Sequence, residues 1–517
     1  MPTHACARAL VVAAIISGAL TAPASAQPRR VFFGNLHSHT SYSDGSGTPE
    51  QAFLHARDIA HLDFLAITEH NHKSAESGAG ERRDGLLIAT APALYIGPQA
   101  DGLIPAAGRF TEDGRFVALF GQEFNAISKG NHVNIFDIDQ VIPVPNDRFD
   151  QLVTWLNAHP DRGGNPAVMQ FNHPSLNSTN KEYGADDFDS AAEWVAAIGR
   201  FASLIEVLNG PAMTKVAGHR AAETMERDYL DYLNRGFHLA PTADQDNHYF
   251  TWGSATDART AVIAPALTKR DVIDALRARH VYATEDPNLS LILEINGHLQ
   301  GDVVTTLPAV GSTLDIRLSV QDQDEPNGSY EVEVFSDDGP GGNRAASIAT
   351  FALDGNTAPG QPLQVSDVSF RGAGQYVFLK IHQVNEDGEG DLAWTAPVWF
   401  EVGTGLPAVP MIRIASLLPN PLGDESQDEE VTLRNRGTAS VNLATWVLRD
   451  AQGRTWSLAS LGSIPAGGVK TIRRGGQPMS LNNGGDTVSL VTPDGVVAHQ
   501  VTYPAIAEGQ RHQVPEP

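Results

Sequence analysis

The chain has almost no cysteine. Cys6 is the single one in 517 residues, so no intrachain disulfide is available and any metal site must use His, Asp or Glu. Basic residues are also scarce: 36 Lys and Arg stand against 61 Asp and Glu, a net charge of −25. That balance disfavours a nucleic-acid partner, and no stripe of Lys, Arg and aromatics is present to track a phosphate backbone. It leaves a small phosphate substrate open, because bound cations reverse the local field. Long apolar runs are missing too. "ALVVAAIISGAL" near the start falls short of the roughly 20 residues of a membrane span. It follows Arg8 and precedes "ASA" at 24–26, the order of a secretory signal with a small-residue cleavage site. Residues 1–26 are therefore expected to be a signal peptide, lost together with Cys6. The mature protein is expected to be exported, to the periplasm or the extracellular space.

What is present is a turn-rich globular composition, with Gly 48 and Pro 32 beside 41% hydrophobic residues. Residues 27–287 alternate strand-like runs ("VFFGNL", "DFLAIT", "FVALFGQEF", "HVNIFDI", "AVMQFN", "LIEVLNG", "FHLAPTA", "TAVIAPA") with helical stretches such as "TPEQAFLHARDIA" and "TKRDVIDALRAR". That alternation predicts a parallel sheet and, at this length, a closed or nearly closed α/β barrel. From 288 to 403 the pattern becomes apolar–polar alternation between Gly, Asn and Asp turns, which reads as a β-sandwich. "GTGLPAVP" at 403–410 reads as a linker, 411–506 as a second all-β unit, and 507–517 as a flexible tail.

The polar residues of interest fall just after the strand-like runs, where a parallel barrel gathers side chains at one rim. In "NLHSHTSYSDG" the histidines at 37 and 39 share one face of an extended chain, and Asp44 follows. Glu69 and His70 close "DFLAIT", Glu123 closes "FVALFG", His132 opens "HVNIF", and His173 follows "MQFN". In "TADQDNH" both Asp244 and Asp246 are available, ahead of His248. Imidazoles and carboxylates without thiolates suit Zn, Mn or Fe.

Taken in order, "HSHTSYSDG", "ITEHN", "GQEF", "NHVNIF", "FNHP" and "DNH" resemble the motifs of the PHP (polymerase and histidinol phosphatase) superfamily. The resemblance implies a distorted (β/α)7, TIM-like barrel with up to three divalent ions and phosphoesterase activity. Carried over, it implies that His37, His39, Glu123 and Asp246 hold one ion. A bridging Glu123 with His132 and His173 would hold a second, and Asp44, His70 and His248 a third. It departs from the family at Glu69, where aspartate is common; Glu69 is expected to orient His70.

The expected activity is hydrolysis of a small phosphate mono- or diester by hydroxide formed on two or three divalent ions, with Glu123 and Asp246 central. Arg259 is the candidate for a phosphate-clamping fork and Lys129 a weaker one. Two other readings stand beside it: a metal-dependent carbamate or carboxylic ester hydrolase, and a secreted binding protein with a degenerate barrel. His55, His61, His72, His159, His219, His238 and His280 are expected to be structural, and the acidic "DQDEPNG" at 322–328 a solvated turn. Finally, "IRIASLLPNPLGDESQDEEVTLRNRGTASVNLATWVLRDAQG" with "LNNGGDTVSLVTPDGVVAHQVTYP" resembles a lamin-tail domain. That resemblance implies an immunoglobulin-like sandwich that binds or packs; its ligand is not legible.

Overall fold

The first strand begins at Arg30, where "RVFFGN" alternates half-buried and buried residues before turning wholly inward. The structure, a computed structural model, describes residues 29–73, 87–97, 102–126, 130–174, 182–219, 223–337, 345–365, 368–384, 390–402, 412–435, 441–450, 452–465, 468–493 and 497–514. The expected signal peptide and Lys129 lie outside the described residues. In chain order the first unit contains β1 (Arg30–Asn35), α1 (Pro49–Asp58), β2 (Phe64–His70), α2 (Ala93–Ile96), α3 (Leu103–Phe110), β3 (Val117–Phe124) and β4 (Val133–Phe136). It continues with α4 (Phe149–Ala158), β5 (Val168–Phe171), α5 (Ala191–Ile198), β6 (Ala202–Asn209), β7 (Glu223–Thr224), α6 (Glu226–Asn234), β8 (Ala240–Asp244), β9 (Arg259–Ala264), α7 (Lys269–Ala278) and β10 (Val281–Thr284). Local chemistry explains the helix ends. Thr48 and Gln51 close a reciprocal capping box on α1, with Pro49 in its first turn. Thr268 caps α7, which ends on Arg279 in a left-handed conformation, φ 62°.

The sheet corrects the expectation of a parallel barrel. β1/β2, β2/β3, β5/β6 and β6/β8 are parallel. β4 runs antiparallel to both β3 and β5, and β9 antiparallel to β1 and β10. The connection from Phe124 to Val133 is too short for a parallel crossover, which needs about a dozen residues or more. Among the described residues no ladder joins β8 to β1. That gap is spanned by a parallel bridge between Ser38 and Asn247 and by the Leu36 N–H donating to Asp244 Oδ1. A mixed, curled sheet results, with apolar residues of β1, β2, β3 and α7 in one core.

The second unit is not a bead on a linker. β10 pairs antiparallel with Leu392–Thr395, so the sandwich sheet continues the first unit's sheet. The second unit's inner core includes Ala261, Ile263 and Tyr282 from β9 and β10. Trp394 packs into the first unit's core and its indole N–H donates to Glu226.

The third unit has two four-stranded antiparallel sheets over a core with Trp446 and Trp456, an immunoglobulin-like sandwich. The segment expected as a flexible tail is tied down: His512 and Gln513 pair with Leu417 and Ser416. Arg511 bonds Glu430. The chain is thus multidomain and β-rich, with few helices. No helix of the described residues is long and apolar enough to cross a membrane.

Candidate metal centre

β1 carries the chain up to His37 and His39, and the Ser38–Asn247 bridge keeps that segment extended beyond the strand. Both imidazoles therefore turn to the same side. His70 ends β2, and its register partner on β3 is Glu123. His173 and Asp246 adopt positive φ, 33° and 51°, just past β5 and β8, which bends each side chain back over the strand ends. His37, His39, His70, Glu123 and His173 are buried, and Asp246 is partly buried.

His37 Nε2 and His39 Nε2 lie 3.2 Å apart. Each is 3.1 Å from Asp246 Oδ1 and 3.1 or 3.2 Å from a Glu123 oxygen. The far sides of the rings decide what these atoms are. His37 Nδ1 lies 2.8 Å from Glu206 Oε1, a carboxylate that only accepts, so Nδ1 carries hydrogen and Nε2 presents a lone pair. His39 Nδ1 lies 3.2 Å from Ser43 Oγ, whose own hydroxyl donates to Glu69. Nε2 of His39 is again left as a lone pair. Four acceptor groups thus converge on one point, which is stable only with positive charge among them. Their spacing also fits: ligands about 2.1 Å from a tetrahedral ion stand roughly 3.4 Å apart.

Glu123 reaches further. Oε1 is 2.9 Å from His132 Nδ1, 3.2 Å from His173 Nε2 and 2.9 Å from the Asn172 amide nitrogen, while Oε2 is 3.0 Å from His70 Nδ1. His248 gives Nδ1–H to the Asp246 carbonyl at 2.7 Å and turns Nε2 to Asp44 Oδ1 at 3.3 Å. Asp44 Oδ2 is 3.5 Å from His70 Nε2. The ligand atoms form four overlapping groups: His37, His39, Glu123 and Asp246; Glu123, His132 and His173; Asp44 with His39, His70 and His248; and His70 with His72 and His132. Buried His132 Nε2, His173 Nδ1 and Asp246 Oδ1 have no hydrogen-bond partner. The donor set therefore fits divalent metal ions.

The electrostatics agree. Burial resists charging these rings, yet Asp246, Glu123 and Glu206 hold His37 well above its ordinary value, and Asp246 and Glu123 hold His39 up at about 9. Burial likewise opposes ionising Asp44 and Glu123, but the surrounding imidazoles hold both carboxyls low. Burial pushes His132 down to about 4, so it is neutral and ready to ligate near neutral pH. Without metal, protons supply the positive charge.

The structure thus brings His37, His39, Asp44, His70, Glu123, His132, His173, Asp246 and His248 together. Asp244 is turned away, accepting from Leu36 N, Thr260 Oγ1 and Gln170 Nε2. Glu69 does not orient His70: neighbours on a strand face opposite ways, and Glu69 instead accepts from Thr40 and braces His39 through Ser43. Arg259 is not at the centre. Its neighbour Thr260 faces Asp244, so Arg259 faces outward, and its Nη1 donates to the Thr256 and Ala258 carbonyls. His72, expected to be structural, lies beside the centre, its ring 4.8 Å from His70 and 6.2 Å from His132. Glu206 was missed by motif spacing. Its signal was a lone carboxylate, the single charged residue in "ASLIEVLN".

No curated protein matches the chain in sequence. Residues 407–505 match the family model of the Lamin Tail Domain. The C-terminal unit is a lamin-tail domain. Among the described residues, the lamin-tail domain adds nothing to the groups able to hold a metal. Among solved structures, the chain is similar to a two-domain protein containing a predicted PHP-like metal-dependent phosphoesterase from Bacteroides vulgatus ATCC 8482. The identity is 16%, covering 72% of this chain and 96% of that one, at a TM-score of 0.36. It is also similar, at 9% identity and a TM-score of 0.20, to red sea bream transglutaminase, over 46% of this chain and 34% of that one. Likenesses at these scores carry no functional argument, which rests on the side chains.

Proposed function

We propose that the protein is an exported hydrolase of the PHP type that cleaves small phosphate mono- or diesters with two or three divalent ions, Zn, Mn or Fe. The observation that carries the reading is the convergence of lone pairs around Glu123, which has three imidazoles near one oxygen and two near the other. Divalent ions held there supply Lewis acidity at a phosphoryl oxygen and a strong nucleophile from water at neutral pH. The chain's own residues do the rest. Glu206 keeps a proton on His37 Nδ1, Ser43 does so for His39, and the Asp246 carbonyl does so for His248, so each ring offers Nε2 to the centre. Asp44 stands at the outer edge, about a tenth exposed, where a substrate oxygen can approach. Export is inferred from the apolar segment and "ASA" at the start of the chain.

The test is elemental analysis of purified protein together with turnover of aryl phosphate mono- and diesters beside aryl carbamates and carboxyl esters. Bound transition metal with phosphate-ester turnover is the expected outcome. Protein that takes up no metal, or that turns over only carbon esters, overturns the reading.

A further inference from the structure

The imidazoles of the centre are not braced alike. Beside the first ion's position, His37 Nδ1 lies 2.8 Å from Glu206 Oε1 and His39 Nδ1 3.2 Å from Ser43 Oγ, so both rings are fixed from behind. Beside the second, His132 turns Nδ1 and His173 turns Nε2 towards Glu123 Oε1. Their far nitrogens, His132 Nε2 and His173 Nδ1, are buried and have no hydrogen-bond partner among the described residues. A far nitrogen that donates to an acceptor fixes the ring and makes it a stronger ligand. The second pair lacks that help.

Help comes instead through Glu123. Asn172 is buried, and its Nδ2 donates to Glu123 Oε1 at 2.9 Å. That bond occupies one lone pair of the oxygen that His132 and His173 face, and leaves one for an ion. Asn172 is held in turn by Gln170, also buried, whose Nε2 is 3.3 Å from Asn172 Oδ1, 3.3 Å from Glu206 Oε1 and 3.0 Å from Asp244 Oδ2. Gln170 thus ties the amide that steadies Glu123 to the carboxylate that braces His37.

We propose that the two positions sharing Glu123 hold their ions unequally. The position of His37, His39 and Asp246 keeps its ion. The position of His132 and His173 holds an exchangeable one, and Asn172 is the positioning residue that aims Glu123 at it. The proposal rests on the reading of this centre as one for divalent ions. It adds a form of regulation: turnover follows the supply of free metal, because the chain retains one ion and loses the other when metal is scarce.

Equilibrium dialysis of the metal-stripped full chain against manganese chloride tests it, on wild type, Asn172→Ala and His132→Ala, with the paramagnetic resonance spectrum of bound manganese as a second readout. Two manganese ions that share a carboxylate couple magnetically, and a single ion does not. Wild type is expected to bind one ion about 100-fold more tightly than the ion that brings in the coupling, tenfold for each unbraced ring. His132→Ala is expected to keep the tight ion and lose the coupled spectrum. Asn172→Ala is expected to keep the tight ion and to weaken the coupled one about 10-fold; if it fails to fold, His132→Ala carries the test. Equal affinities in wild type, or loss of the tight ion in either variant, overturns the proposal while leaving the centre a metal site. Wild type that binds no divalent metal overturns the reading of the centre as well.

Discussion

The strand ends of the first unit and the strands of the lamin-tail domain treat polar residues in opposite ways. In the first unit, His37, His39, His70, Glu123, His173 and His248 all turn inward and are buried. In the lamin-tail domain, the strand Glu430–Asn435 alternates, and Thr432 meets Thr471 on an exposed face while Val431 and Leu433 enter the core. The second arrangement stabilises a sandwich by itself. The first does not, because like charges and lone pairs facing one another in a dry interior oppose folding until something positive joins them. The difference teaches which region is built for chemistry and which for packing or contact.

The comparison breaks most severely at Glu123. Glu123→Ala removes the carboxylate shared by the three-imidazole and two-imidazole sides. It is expected to empty at least one metal position and to lower turnover on the order of 10³-fold or more, measured as metal per chain and initial rate. Unchanged metal and unchanged turnover would rule out its bridging role. In the other region, Trp456→Ala opens the sandwich core. It should cost about 3–5 kcal/mol of that unit's stability with metal content unchanged; a matching loss of metal would show that the two regions are not separable.

Smaller effects sharpen the contrast. Glu206 holds His37 Nδ1 and also accepts from the His173 backbone N–H, so it braces ligands assigned to two ions. Glu206→Gln is expected to weaken metal binding about 10–100-fold while leaving the unfolding transition of the lamin-tail domain in place. Equilibrium dialysis checks the affinity. The last effect is a pH dependence. His39 is raised to about 9 in the metal-free protein, so binding between pH 7 and 9 must displace its proton. Affinity should therefore climb with pH through that window. A flat profile of apparent Kd from pH 7 to 9 would show that the imidazole is not a ligand.

Much of the centre was legible because its signals are local. His37 and His39 are two residues apart, and Asp246 and His248 repeat that spacing, so a short extended segment suffices to aim each pair. Strand existence was legible for the same reason: "FLAIT" and "VALFG" are continuous apolar runs. Strand direction was not. Whether β4 runs with or against β3 depends on the reach of the eight residues between Phe124 and Val133, and residue periodicity does not register that length.

By itself, the sequence determined which kinds of donor are available, their order along the chain, and the absence of thiolate from any metal site beyond Cys6. It also marked the C-terminal unit, whose alternating strands carry their own core. Only the tertiary structure decided that Asp246 and not Asp244 enters the centre, that Arg259 faces away from it, that Glu69 serves His39, and that Asp322, expected in a solvated turn, is buried beside Asp286. Each of these depends on which face of a strand meets a partner far away in the chain. That choice is made by sheet order and register, not by the spacing of neighbours.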